Sequence, residues 1–441
     1  MGGAAERSYL CIDLKSFYAS VECVDRGLDP FSTNLVVADV TRTDKTICLA
    51  VSPHMKALGV PGRCRVFEIP QGIEYVTAPP RMARYIEKSA EVYAVYLRWI
   101  AKEDIHVYSI DEAFFDVTGY LGMYGMSARE LGERIRRDVL DATGITATCG
   151  VGPNLYLAKV ALDISAKHNP DFFGVLDERT YRETLWTHRP LTDFWRIGPG
   201  IERRLAAMGI HTMGQLACSP PEAIWDEFGV DAEIMIDHAW GVEPVTMADI
   251  KAYEPHSHSF SAGQVFGCDY TPADACLVAK EMADSLALRL TDARRAAGGL
   301  NVWVGYGLTD DEKDALRAAG WRGRTGMPGA TASRSFGFPT SSSRALRAAA
   351  AEAFRSCCDP HRMVHRLGVT ATGVVDPEHD DIQLDLFHDP HEAAEEDARL
   401  RAVNEIRRKF GSNAMLRGMD LLPKATARQR NEQIGGHRSG L

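Results

Sequence analysis

Long apolar runs are missing from this chain. No stretch of about 18 consecutive apolar residues occurs, which excludes an ordinary membrane-spanning helix and any membrane partner that needs one. Residues 1–8 lack an apolar core, so no signal peptide is expected and the expected setting is the cytoplasm, in association with the nucleoid. The 10 cysteines include no Cys-x-x-Cys pair, which argues against a disulfide framework, a thioredoxin-like motif or a zinc ribbon. His361 and His365 stand four apart, but they follow Asp359-Pro360, a loop or helix start, and no metal is expected there. An excess of positive charge is missing too. The formal net charge of −10 excludes a protein that merely coats nucleic acid, since neutralising phosphates requires Lys and Arg. Internal repeats are absent. What remains is an ordinary globular composition, 45% hydrophobic and 25% charged, over 441 residues, enough for two to four domains.

Apolar patterning predicts strands over residues 9–14, 35–39, 46–51, 105–110, 113–118 and 145–151. Helical spacing predicts helices over 16–26, 53–58, 81–102, 128–143 and 154–167. Short helices follow from about residue 173, then a linker at 251–258. A second mixed unit is expected beyond it, with strands over 259–266, 300–307, 332–338 and 366–375 and helices over 273–297 and 343–357. The Gly-rich segment 309–329 reads as an exposed loop. After Asp376 the chain turns acidic and then basic, and a flexible tail is expected. The fold class is therefore α+β and multidomain.

The strongest chemical signal is a set of acids. Asp13 ends the first predicted strand, and Asp111-Glu112 lies between two others. Neighbouring side chains on a straight strand point to opposite faces. A tight turn at Asp111-Glu112 lets both face one site, where Asp13 can join them. Clustered anions repel and stay ionised only beside cations. Hard oxygen donors suit Mg²⁺. Two such ions about 3.5–4 Å apart clamp the attacking and leaving oxygens of an in-line displacement, and Mn²⁺ can substitute. The bland alternative is that these acids cap turns or form surface ion pairs.

The segments around the acids resemble the Y family of DNA polymerases, in which Asp13-Leu14-Lys15-Ser16-Phe17-Tyr18 matches the first motif. Ser109-Ile110-Asp111-Glu112-Ala113 matches the second. Gly150-Val151-Gly152-Pro153-Asn154 with Leu157-Ala158-Lys159 and Ala166-Lys167 matches the third. The resemblance covers residues 9–376 and lies nearer the polymerase V catalytic subunit type than polymerase IV. It implies a right-hand architecture: palm at 8–17 and 81–172, small fingers at 18–80, helical thumb at 173–250, linker at 251–258, little finger at 259–376 and a tail at 377–441. It implies low-fidelity synthesis past damaged bases, with primer-template DNA and deoxynucleoside triphosphates as substrates and damage-induced expression. Asp13, Asp111 and Glu112 would be the catalytic metal ligands, joined by the Leu14 carbonyl. Tyr18 would be the steric gate that excludes a 2′-hydroxyl, with Phe17 packed nearby. Ser52, Lys56 and Lys159 would approach the triphosphate. Pro53 and Lys56 stand where many members carry Tyr and Arg, and Lys is a point charge, not a fork.

Ile197-Gly198-Pro199-Gly200 resembles a helix-hairpin-helix, whose Gly198 and Gly200 would bring backbone N–H groups to a DNA phosphate. Arg334, with Arg322, Arg324 and Arg344, would meet phosphates from the little finger. Gln383-Leu384-Asp385-Leu386-Phe387 resembles the bacterial sliding-clamp binding motif, with apolar anchors for a preformed groove. The basic end, 425–438, resembles segments of polymerase V homologues, and a recombinase or accessory mutagenesis subunit is the partner it suggests. Two other functions fit parts of the pattern. One is a catalytically silent Y-family scaffold linking the clamp to other mutagenesis proteins. The other is a palm-fold nucleotide cyclase, which leaves the helix-hairpin-helix without a use.

Overall fold

A computed structural model describes residues 7–41, 45–255, 258–318, 328–376 and 390–440. The chain forms two compact units, one ending at Tyr253 and the other beginning at Glu254.

The first unit is built on a five-stranded sheet. Its strands are β1 (Tyr9–Leu14), β5 (Ile105–Val107), β6 (Glu112–Asp116), β7 (Ala147–Gly152) and β8 (Phe173–Val175), in the order β5-β6-β1-β7-β8. Between β1 and β5 come α1 (Phe17–Asp25), a small sheet and α3 (Met82–Tyr96). The small sheet holds β2 (Leu35–Val37), β3 (Ala50–Val51) and β4 (Val76–Ala78), with α2 (Pro53–Ala57) after β3. It has its own core of Val36, Cys48, Val51, Met55, Val60 and Ile69. Helix α4 (Thr118–Tyr124) follows β6, and α5 (Ala128–Thr143) precedes β7. Ser127 and Glu130 form a capping box at the start of α5, and Gly144 ends it in the left-handed conformation.

Period-two alternation sorts the strand side chains. Tyr9, Cys11 and Phe114 face helix α6 (Leu155–Val160), which continues as a π turn over Ala161–Ala166. On the other face, Cys149 lies against Gly132 of α5. The α6 face is unusually tight. A methyl group at Gly150 would collide with the Ala158 carbonyl, and one at Gly152 would lie 2.5 Å from the Ala158 nitrogen. The Gly-Val-Gly run thus lets the helix backbone rest on the strand. Beyond β8 the chain is helical: α7 (Glu178–Leu185), α8 (Pro199–Ala207), α9 (Met213–Ala217), α10 (Pro221–Phe228), α11 (Asp231–Trp240) and α12 (Met247–Ala252). Leu205, Ile210, Met213, Leu216 and Ile224 form part of its core.

The second unit holds β9 (His258–Tyr270), α13 (Pro272–Asp292), β10 (Ala296–Tyr306), α14 (Asp310–Ala318), β11 (Gly329–Thr340), α15 (Ser343–Cys357) and β12 (Val364–Val375). The strands form one antiparallel sheet, β11-β10-β12-β9, with α13 and α15 packed on one face. Two expectations are corrected. The segment expected to be a loop contains α14, because Thr309 and Glu312 cap it reciprocally: the Thr309 N–H donates to Glu312 at 2.9 Å and the Glu312 N–H to Thr309 Oγ1 at 3.2 Å. The expected flexible tail contains α16 (Pro390–Phe410), which packs on α13.

The tail holds because α13 presents it a stripe of acceptors. The Thr426 N–H and hydroxyl and the Arg430 guanidinium donate to buried Glu281. Arg417 donates to Asp284 at 2.6 Å, Asn404 to the Leu288 carbonyl at 2.8 Å, and Arg408 to Asp292 at 2.6 Å. These positions recur at helical spacing, so one face of α13 is committed to the tail. No helix among the described residues is long and apolar enough to cross a membrane. Asp284 has a side chain only 7% exposed, and Arg417 is its nearest cation. Arg417→Ala leaves that charge buried with the Ser343 hydroxyl and the more distant Arg347 and Arg407, and is expected to destabilise the second unit by about 2–4 kcal/mol in urea unfolding of the full chain.

Candidate active site

Register brings the acids together. Asp13 on β1 is the direct cross-strand partner of Glu112 on β6, so both side chains leave the sheet on the α6 face. Asp111 precedes β6 in a tight turn, where the N–H groups of Tyr108 and Ser109 both donate to the Glu112 carbonyl. The Leu14 N–H donates to the Asp111 carbonyl at 2.8 Å, which pins the turn to the end of β1. Ser109 Oγ donates to Asp111 Oδ1 at 2.6 Å. Burial raises the Asp13 pKa to about 6; Lys167 opposes the rise, while Asp111 and Glu112 add to it. The three acids therefore share one electrostatic neighbourhood.

Each acid currently meets a protein donor, and among the described residues no three Asp, Glu, His or Cys side chains converge in the arrangement of a metal cage. Glu112 Oε1 accepts from Lys159 at 2.7 Å and from the Cys11 thiol at 3.2 Å. Lys167 lies 3.8 Å from Asp13 Oδ2. Asp163 bridges the two lysines, 3.0 Å from Lys159 and 2.8 Å from Lys167. The donor set still fits a hard divalent ion. It offers carboxylate oxygens, and the burial that lifts Asp13, with Asp111 and Glu112 adding to it, is a condition a nearby cation relieves. Lys159 supplies part of that compensation: burial works against its charge, yet Cys11, Asp163 and Glu112 leave its pKa raised.

This arrangement corrects the expectation for Lys159. It is buried and committed to Glu112 and Asp163, so it is not the lysine open to a nucleotide. Lys167, with its side chain 38% exposed, stands beside Asp13 instead, although sequence reasoning gave it no role. The third-motif pair Ala166-Lys167 contained that signal. Lys56 is placed differently from Lys159. It is exposed, yet enough protein surrounds it to lower its pKa by desolvation, and the charges of Asp13 and Asp111 act on it. Lys15 stands over the Phe172 ring at 4.0 Å and also feels Lys56 and Asp13. Ser52 is corrected. It is fully buried, and its hydroxyl donates to the Thr33 carbonyl at 2.7 Å and caps α2 at Met55. Its part is to aim the helix that carries Lys56.

Tyr18 leaves the first turn of α1, which the left-handed Ser16 (φ 48°) turns away from β1. Its ring stacks on Tyr85 with centroids 4.5 Å apart. The Tyr85 hydroxyl donates to buried Glu22 at 2.8 Å, and Arg81 donates to the same oxygen at 2.8 Å. Tyr85 thus backs Tyr18 rigidly, a support that no local motif announced. Burial raises the Tyr18 pKa, with Asp111 adding to the shift, which sets the ring beside the acids. Phe17 is in the core.

Gly198 caps α8 without a side chain, and a methyl group at Gly198 or Gly200 would meet nothing within 4 Å. Internal packing does not require these glycines, and they leave the helix start approachable from outside. Arg334 is corrected. It shares the helix-covered sheet face with Ala332 and Phe336 and pairs with Glu352 of α15 at 2.9 Å. The opposite face carries Asn301, whose amide donates to Thr331 and Ser333. Arg344 pairs with Glu392 at 3.1 Å. Arg322, Arg324 and the clamp-like residues Gln383, Leu384, Asp385, Leu386 and Phe387 lie outside the described residues.

Comparisons with known proteins agree with this geometry. Residues 12–163 match the model of the impB/mucB/samB family, and residues 257–386 match that family's C-terminal domain. A Bacillus subtilis (strain 168) protein named for UV-damage repair, UvrX, is 30% identical, covering 98% of each chain. DNA polymerase IV of Moorella thermoacetica (strain ATCC 39073 / JCM 9320) is 30% identical, covering 95% of this chain and 97% of its own. DNA polymerase IV 2 of Bacillus subtilis (strain 168) is 27% identical over 98% of this chain and 99% of its own. A solved Y-family DNA polymerase chimera of Dbh and Dpo4 shares the fold, with a TM-score of 0.64 and 20% identity, covering 83% of this chain and 99% of that one. The chain belongs to the impB/mucB/samB family, the Y family of translesion DNA polymerases.

Proposed function

We propose that the chain extends primers past damaged template bases by two-metal nucleotidyl transfer. The observation that carries this reading is the pairing of Asp13 with Glu112, with Asp111 pinned to the same strand end and lysines around them. Asp13, Asp111, Glu112 and the Leu14 carbonyl would hold divalent magnesium, with manganese as a substitute. When bound, the metal would supply a lowered pKa at the primer 3′-hydroxyl and charge neutralisation at the departing pyrophosphate. The protein's own residues do the rest. Lys56, Lys15 and Lys167 attract the triphosphate of a deoxynucleotide. Tyr18, backed by Tyr85, closes the space a 2′-hydroxyl would need. Gly198 and Gly200 offer backbone N–H groups to primer-template phosphates without reading sequence.

Domain roles follow the same reading: palm at 8–17 and 81–172, fingers at 18–80, thumb at 173–250, linker at 251–258, little finger at 259–376 and tail at 377–441. Gln383 to Phe387 would tether the enzyme to the bacterial sliding clamp and raise its local concentration at primer ends. Activity in the cytoplasm on the nucleoid is part of this proposal.

Primer extension on intact and lesion-bearing templates tests the assignment. Asp111→Asn is expected to reduce extension at least about a hundredfold with the thermal midpoint and DNA binding retained. Undiminished extension in that variant would remove the catalytic assignment. Tyr18→Ala is expected to raise ribonucleotide incorporation about tenfold or more while deoxynucleotide extension continues. The raised pKa of Asp13 can be tested without activity. Asp13 titrates near 6 in the folded chain against 3.8 ordinarily, so its contribution to stability is fully present below about pH 4 and is lost as pH rises through about 6. In chelator, Asp13→Asn should therefore stabilise the protein by about 3 kcal/mol at pH 8 and have no stabilising effect near pH 4. Equal effects at both pH values would contradict the raised pKa of Asp13.

A further inference from the structure

Lys159, Asp163 and Lys167 recur every four residues along the segment that follows β7. In a regular α-helix of 3.6 residues per turn, the eighth position overshoots two full turns by about 80°. Lys167 would then leave the face that carries Lys159. The segment is not regular: α6 ends at Val160, and Ala161–Ala166 is a π turn. Its i→i+5 bonding widens the turn and absorbs the surplus rotation. Asp163, four residues from each, pairs with both lysines, at 3.0 Å and 2.8 Å, and the π turn keeps Lys167 with Lys159 on the side that meets Asp13 and Glu112.

Packing holds the π turn in place. A methyl group at Gly174 of β8 would collide with the Ala161 carbonyl, and one at Gly150 with the Leu162 nitrogen. Ala161, Leu162 and Ala166 are fully buried. The wide turn is thus pressed against two adjacent strands, and its one carboxylate, Asp163, pairs with Lys159 and Lys167 beside the acids.

We infer that Asp163 is a positioning residue for nucleotide binding: presented by the π turn, it holds the Lys167 ammonium at the mouth of the acidic cluster, ready for the phosphates of an incoming triphosphate. Lys159 remains with Glu112, so the two lysines have separate duties. Without Asp163 the nearest anion to Lys167 is Asp13, 3.8 Å away. Lys167 would collapse onto that carboxylate, and the phosphates would lose a prepared cation. The inference rests on the polymerase reading above.

Steady-state extension with a dNTP titration tests it on the full chain. Asp163→Asn is expected to raise the dNTP KM about tenfold while kcat changes less than about threefold. Lys167→Ala is expected to do the same, and the double variant to be no worse than Lys167→Ala alone, because Asp163 acts through Lys167. Asp163→Glu keeps the charge and is expected to recover part of the loss. An unchanged KM in a folded Asp163→Asn variant overturns the inference, as does an effect that multiplies with that of Lys167→Ala. If Asp163→Asn fails to fold, Asp163→Glu carries the test: its KM rise must vanish in the Lys167→Ala background, and persistence there overturns the inference. A wild-type chain that extends no primer and binds no dNTP overturns the polymerase reading itself, and this inference with it. Wild-type extension with an indifferent Asp163 overturns the inference alone.

Discussion

Three carboxylates gathered in a partly buried place repel one another, and much of the first unit answers that repulsion. At Asp13 burial comes first and Asp111 and Glu112 add to it, so its proton is held to about pH 6. Compensation comes from three directions. Lys159 is driven into the site from α6, Lys167 from the end of the π turn, and Lys56 from α2 of the small sheet. Lys159 has two acceptors, Glu112 and Asp163, so it can give up one and stay paired.

That compensation depends on how closely a helix can approach a sheet. Lysines on a helix at ordinary distance would not reach acids on the strand beneath it. Gly150, Gly152 and Gly174 remove the side chains that would keep the α6 segment away. Backbone packing and electrostatics are therefore one problem: the glycines serve the acids, although they touch none of them. Glu22 shows the same economy on α1. It anchors Arg81 and Tyr85, and Tyr85 in turn supports Tyr18.

Local features were the legible ones. The acids of β1 and β6 could be read because an acidic pair between two apolar runs has few uses, and antiparallel pairing then determines their neighbours. Helix α5 was readable from its capping box to its terminal glycine. The capping signal for α14 was equally present at Thr309 and Glu312, but the glycines that follow masked it. Other errors came from three-dimensional facts with no local trace. Arg334 looks like a phosphate contact until strand parity turns it to the helix side. Ser52 looks like a nucleotide ligand until its hydroxyl is seen capping α2. Lys159 and Lys167 cannot be told apart from spacing alone, because the π turn changes which way the second one points.

The tail shows why composition misled. Its charge suggested a chain with too little apolar surface to fold. Yet charge excludes folding only where no partner surface takes it up. The α13 face offers buried carboxylates at Glu281 and Asp284, which would be costly without Arg430 and Arg417. Neither side is stable alone: the acids need the tail's cations, and the tail needs the acids as anchors. The segment from Pro390 onward is thus a structural part of the second unit.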